Sequence, residues 1–141
     1  MSAKYFIDTN IFVYSFDKAS PAKQKISQDL IASTLANNQG IISYQVVQEF
    51  INFAAGKFAQ PFSMKELLNY FEEVLEPLCE VHSSSKIYQK AVELKHDHRF
   101  SFYDALIIAG ALQGGCKIIY SEDFQHGQKL AGLEILNPFL D

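Results

Sequence analysis

Cysteine is scarce in this chain: Cys79 and Cys116 are the two among 141 residues. Two thiols are too few for a disulfide framework, and no C-x-x-C spacing joins them. Both stand among apolar neighbours and read as small core residues. Long apolar runs are missing as well; none approaches the ~20 residues that a membrane-spanning helix needs. The first run, Tyr5-Phe6-Ile7, meets Asp8 before a signal-peptide core could form. These absences predict a soluble, cytoplasmic protein without a membrane partner. Nor is there an excess of positive charge. Twelve Lys and Arg stand against sixteen Asp and Glu, a net −4 at pH 7. That excludes a generally basic nucleic-acid coat but not a local basic face. No internal repeat, low-complexity stretch or linker breaks the chain.

What is there is an ordinary globular mixture, 48% hydrophobic and 20% charged. The length fits one domain over residues 1–141, large enough to bury roughly two-thirds of its unfolded surface. Short apolar runs alternate with helical periodicities. Strands are predicted at Tyr5-Phe6-Ile7, Ile41-Ile42, Leu78 to Val81, Lys117 to Tyr120 and Leu133 to Leu136. Ser20-Pro21 starts a helix with Ile26, Leu30, Ile31, Thr34 and Leu35 at helical spacing. A second helix runs from Tyr44 to about Ala55, and a third from Met64 to Leu75 with Leu67, Leu68, Phe71 and Leu75 on one face. Ser83 or Ser84 caps a fourth, and Ser101 a fifth over Phe102 to Gln113. Strands alternating with helices, without tight hairpin signals, predict an α/β fold with a parallel sheet covered on both faces.

Sites in such sheets form at the carboxyl ends of the strands. Asp8 follows the first strand, and Asp123 follows the fourth in Tyr120-Ser121-Glu122-Asp123. Glu49 lies in the helix after the second strand, and Asp104 in the first turn of the helix before the fourth. Each has a plainer reading. Asp8 suits a cap, and Asp123 suits a turn. Glu49 shares a polar stripe with Gln45, Gln48 and Asn52 that reads as a solvated face. Ser101-Phe102-Tyr103-Asp104 matches a capping box. Asp104 strains the plain account, because Ala105 to Leu112 is apolar all round, the mark of a buried helix. A carboxylate on that face needs a partner, and no Lys or Arg follows at helical spacing. A cation is the natural partner. Crowded carboxylates would otherwise hold protons near neutral pH. All-oxygen ligands select Mg²⁺ or Mn²⁺. With no Ser–His or Cys–His pair visible, a metal-activated water attacking a phosphodiester is the expected chemistry.

The ordered set Phe6-Ile7-Asp8-Thr9-Asn10, Gln48-Glu49-Phe50, Ser101-Phe102-Tyr103-Asp104-Ala105-Leu106-Ile107 and Tyr120-Ser121-Glu122-Asp123-Phe124 resembles the PIN domain of VapC-type toxins. The resemblance spans essentially the whole chain. It implies a three-layer α/β/α sandwich with a five-stranded, mainly parallel sheet, and metal-dependent cleavage of RNA. It makes Asp8, Glu49, Asp104 and Asp123 the metal-site acids, with Thr9, Asn10, Ser121 and Glu122 in support. Asp123 rather than Glu122 fits the family's S/T-x-D pattern. A cognate antitoxin that covers the site and a homodimer are also implied.

Two other functions are open to the same residues. An aspartyl-nucleophile phosphatase would use Asp8, but Asn10 stands where that class has a second acid. A non-catalytic module could instead receive a basic partner segment in the acidic pocket. On the RNA side, Lys95, His96, His98 and Arg99 form a basic helix end, read as dipole compensation rather than RNA contact. The four histidines lack zinc-site spacing.

Overall fold

The computed structural model describes residues 3–140. Its strands are β1 (Tyr5–Ile7), β2 (Gly40–Ser43), β3 (Cys79–Val81), β4 (Ile118–Tyr120), β5 (Lys129–Leu130) and β6 (Leu133–Leu136). They form one sheet in the order β3-β2-β1-β4-β6-β5. Every pairing is parallel except β5 with β6. All three residues of β1 and all four of β2 are buried. Since successive strand side chains point to opposite faces, both faces of the sheet centre must be covered.

The helices that cover it are α1 (Thr9–Tyr14), α2 (Pro21–Asn37), α3 (Tyr44–Gly56), α4 (Met64–Tyr70), α5 (Glu76–Leu78), α6 (Ser85–His98) and α7 (Phe102–Gln113). The result is the expected α/β/α sandwich. The core joins Phe6, Ile7, Phe12, Ile41, Phe50 and Ile108 with their neighbours. Residues 105–111 of α7 are buried without exception, as an all-round apolar helix requires.

Several expectations need correction. The sheet has six strands, not five. The extra one, β5, turns back onto β6 through Ala131-Gly132, both at positive φ (52° and 83°). This is a tight hairpin of the primed type, but Ala-Gly lacks the usual Asn-Gly or Asp-Gly signal. Thr9 to Tyr14, left without an assignment, is a helix capped by Asp8. The buried row of α2 is Ser27, Ile31 and Thr34, while Ile26 and Leu35 are exposed. Leu68 is exposed, because the chain winds as a π-helix over Phe71–Leu75 between α4 and α5. A wider turn breaks the 3.6-residue phase that would have aligned Leu68 with buried Leu75. Cys116 is buried, but Cys79 is only half-buried.

Candidate functional site

The site grows from the carboxyl ends of β1 and β4, which are neighbours in the sheet. Asp8 leaves β1 with its backbone N–H donating to the Tyr120 carbonyl at 3.0 Å. Its side chain is 3% exposed and caps α1. One carboxylate oxygen, Oδ1, accepts from the Thr9 N–H at 2.7 Å. The other accepts from the buried Ser121 hydroxyl at 2.6 Å. Ser121 Oγ in turn accepts from the Asp123 N–H at 3.1 Å. One hydroxyl therefore ties Asp8 to the backbone of Asp123.

Helix α3 adds the third acid. The Thr9 hydroxyl donates to Glu49 Oε1, and Gln45 Nε2 donates to Glu49 Oε2 at 3.3 Å. The same Gln45 amide donates to the Tyr103 carbonyl at 3.0 Å, holding α3 against the start of α7. The polar stripe of α3 is thus solvated only in part: Gln48 and Asn52 are exposed, whereas Gln45 is buried and Glu49 half-buried. Asp104 sits in the first turn of α7, with its N–H donating to Ser101 Oγ at 3.1 Å. No reciprocal bond from its carboxylate to the Ser101 N–H completes a capping box. Asp104 is half-buried rather than pointed along the buried face, because it lies at the open end of α7.

Charge shows how close the acids are. Burial lifts the Asp8 carboxyl to about 7; the Ser121 hydrogen bond opposes this, while the charges of Asp123 and Glu49 add to it. Asp123, the most open of the four, is also raised, first by the protein packed around its carboxyl and then by Asp104. Glu122 and Glu49 push it the same way, and the Asn10 amide opposes them. Glu122 behaves differently. Burial alone would raise it, but bonds from Lys23 and Tyr14 outweigh burial and hold it below the usual range. Its carboxylate pairs with Lys23 Nζ and accepts from the Tyr14 hydroxyl at 2.6 Å. Thr9, Asn10, Tyr14, Glu49, Glu122 and Asp123 line an open groove of about 560 Å³. Asp8 and Asp104 are not among its lining residues.

Residues 5–129 match the family model of the PIN domain. The chain belongs to the PIN domain family. No curated protein matches it by sequence. Among solved structures, a toxin–antitoxin complex from Klebsiella pneumoniae is similar at TM-score 0.66 and 16% identity, covering 96% of this chain and 98% of that one. VapBC2 from Rickettsia felis, bound to a DNA fragment from its promoter, gives 0.65 and 20%, covering 93% and 96%. VapC20 of Mycobacterium tuberculosis, described as a Sarcin–Ricin loop cleaving toxin, gives 0.64 and 19%, covering 85% and 90%. At these identities the likeness is one of fold.

The residues of this PIN domain suit a hard cation. The donors are all oxygen, which favours Mg²⁺ or Mn²⁺. Repulsion among the acids is an unbalanced charge that a cation would relieve. Both polar atoms of the Asn10 side chain are buried beside Asp123, the amide close enough to lower its carboxyl but not in a well-formed hydrogen bond. Among the described residues no group of three or more His, Cys, Asp or Glu stands close enough to form a ready cage. Mg²⁺ does not ask for one, since it is held by one or two carboxylates, several waters and substrate phosphates.

Sequence reasoning singled out the acids but missed Tyr14, Lys23 and Gln45. Tyr14 ends a run too short to show a helical period, and Gln45 shares a polar stripe that suits the surface. Lys23 and Glu122 are 99 positions apart, so no local pattern could pair them.

Proposed function

We propose that this PIN domain is a cytoplasmic, Mg²⁺- or Mn²⁺-dependent endoribonuclease and the toxin component of a toxin–antitoxin pair. The single observation that carries the proposal is the hydrogen-bonded linkage of Asp8 through Ser121 to Asp123, with Thr9 tying in Glu49, at the carboxyl ends of β1 and β4, where Asp104 is the next charge acting on Asp123. In this reading Asp8, Glu49, Asp104 and Asp123 would hold the ion, which when bound would supply an activated water and charge stabilisation at phosphorus. Ser121 and Thr9 fix the rotamers of Asp8 and Glu49 by the hydrogen bonds described. Asn10 lines the groove with its amide buried beside Asp123, which it helps to keep ionised. Glu122 stays with Lys23 and Tyr14 and steadies the segment that carries Asp123.

Asp8 is buried, both of its oxygens accept hydrogen bonds, and Asn10 rather than a second acid stands two residues on. That favours direct hydrolysis over an aspartyl-phosphate route. Toxin–antitoxin structures among the similar folds support a cognate antitoxin as partner. A homodimer remains part of the proposal.

The test is cleavage of single-stranded and loop RNA in Mg²⁺ or Mn²⁺. EDTA should stop it, and Asp104→Asn should slow it by about 100-fold or more, as expected when a group that stabilises transition-state charge is lost. Cleavage that persists through both changes would end the metal mechanism.

A further inference from the structure

The acidic groove does not end at the carboxylates. It shares Val13, Asp17, Phe53 and Lys57 with a second hollow of about 770 Å³. That volume lies within the roughly 300–1,000 Å³ of typical small-ligand pockets. Phe16, Phe53, Phe58 and Phe62, joined by Pro61, form its aromatic wall, and Asp17, Lys18 and Glu66 line it as well. Phe16 is a large hydrophobic left 37% exposed. Its ring lies 5.0 Å from Phe62 and 5.8 Å from Phe58, so the aromatic surface is built and held before any ligand arrives.

Lys57 stands where the two hollows meet. It caps the C-terminal end of α3, is exposed, and enters no ion pair among the described residues. Its ammonium lies 5.9 Å from the Phe53 ring centre, on the aromatic side of the junction. A wall of mutually inclined aromatic rings, an unpaired cation and an acidic cluster thus follow one another along one surface. A single-stranded nucleotide chain has the matching sequence of parts: base, phosphate, next phosphate.

Resting on the nuclease reading above, we propose that Lys57 and the Phe16–Phe58–Phe62 hollow form a nucleotide subsite. Lys57 holds the phosphate next to the scissile one, and the hollow receives the unstacked base attached to it. Aromatic side chains receive splayed bases in this way, with little regard for sequence. A base held in a duplex cannot reach the hollow. The subsite therefore selects unpaired RNA, and Lys57 acts as a positioning residue rather than a catalytic one.

The experiment compares wild type, Lys57→Ala and Lys57→Arg on a single-stranded oligoribonucleotide and on the same oligomer with one abasic position beside the cut. Two readouts are taken: KM and kcat in Mg²⁺, and equilibrium binding by fluorescence anisotropy in EDTA. Lys57→Ala should raise KM and the dissociation constant about 5- to 20-fold with kcat nearly unchanged, Lys57→Arg should restore both, and the salt dependence of binding should weaken by about one phosphate contact. The abasic oligomer should lose roughly 5- to 100-fold in affinity for wild type, as removal of a stacked base does. Unchanged KM, binding and salt dependence in Lys57→Ala overturn the subsite. So does a Lys57→Ala variant that binds RNA normally but is no longer inhibited by a co-expressed protein partner, which would assign the hollow to that partner. If wild type binds RNA but fails to cleave it in either metal, the nuclease reading falls while the binding arm still decides the subsite.

Discussion

Ser121 does more for this site than its size suggests. It is fully buried between two acids, donating to one and accepting from the backbone of the other. Asp8 consequently sits in one rotamer, with its charge held at the cost of burial. Its carboxyl lies above the unfolded value of 3.8, so between about pH 4 and 7 the metal-free folded state binds the extra proton. Stability from this residue is full below pH 4 and is lost as pH rises through 7. Asp8→Asn should flatten that slope and stabilise the metal-free protein at pH 8 by about 1–3 kcal/mol, less than the full shift because one hydrogen bond is also lost. Urea unfolding of both proteins at pH 5 and pH 8 measures it, and equal slopes would contradict the assignment. At this scale the sequence was partly readable. Asp8 and Asp123 follow strands, and a carboxylate there is conspicuous. The Lys23–Glu122–Tyr14 pairing was not, because long-range contacts leave no periodic trace.

Among the elements, those with strong local chemistry formed where expected and those governed by tertiary packing did not. Ser84 and Ser101 cap α6 and α7 with their hydroxyls, as the sequence suggests. Ser43 precedes α3 as predicted, yet its hydroxyl makes no cap bond and is buried without a partner. Helix α2 buries Ser27 and Thr34 while exposing Ile26 and Leu35, a rotation that hydrophobicity alone does not disclose. The β5–β6 hairpin was invisible because its turn uses alanine in the left-handed region. That choice is unfavourable, since a Cβ there crowds the backbone and asparagine tolerates the conformation better. Ala131→Asn should stabilise the protein by about 0.5–1 kcal/mol without affecting activity. A thermal melt showing no gain would mean that alanine at position 131 carries no appreciable conformational cost.

For the whole molecule, the net charge of −4 equals the number of acids in the proposed metal site. With those set aside the rest of the chain is balanced, so its acidity is no obstacle to an RNA substrate. It also links folding to the ion. If the cluster binds Mg²⁺ in the folded state alone, Mg²⁺ at 100 times its dissociation constant adds about 2.7 kcal/mol of stability. Calorimetry should then show the melting temperature rising by roughly 5–10 °C, from the ~2–4 °C per kcal/mol usual at this chain length, and Asp104→Asn should lose most of the rise. No change on adding Mg²⁺ or Mn²⁺ would count against a resident cation. The parallel sheet itself was legible from the alternation of runs, β3 at one end included, but β5 at the other end was not, and the two ends have a consequence for self-association. One edge is β3, three residues with an irregular register against β2; the other is β5, two residues long. Such stubs expose too few free backbone groups to recruit a strand from another copy. Two molecules of this chain can therefore join through their helical faces, but not by continuing the sheet from one to the next.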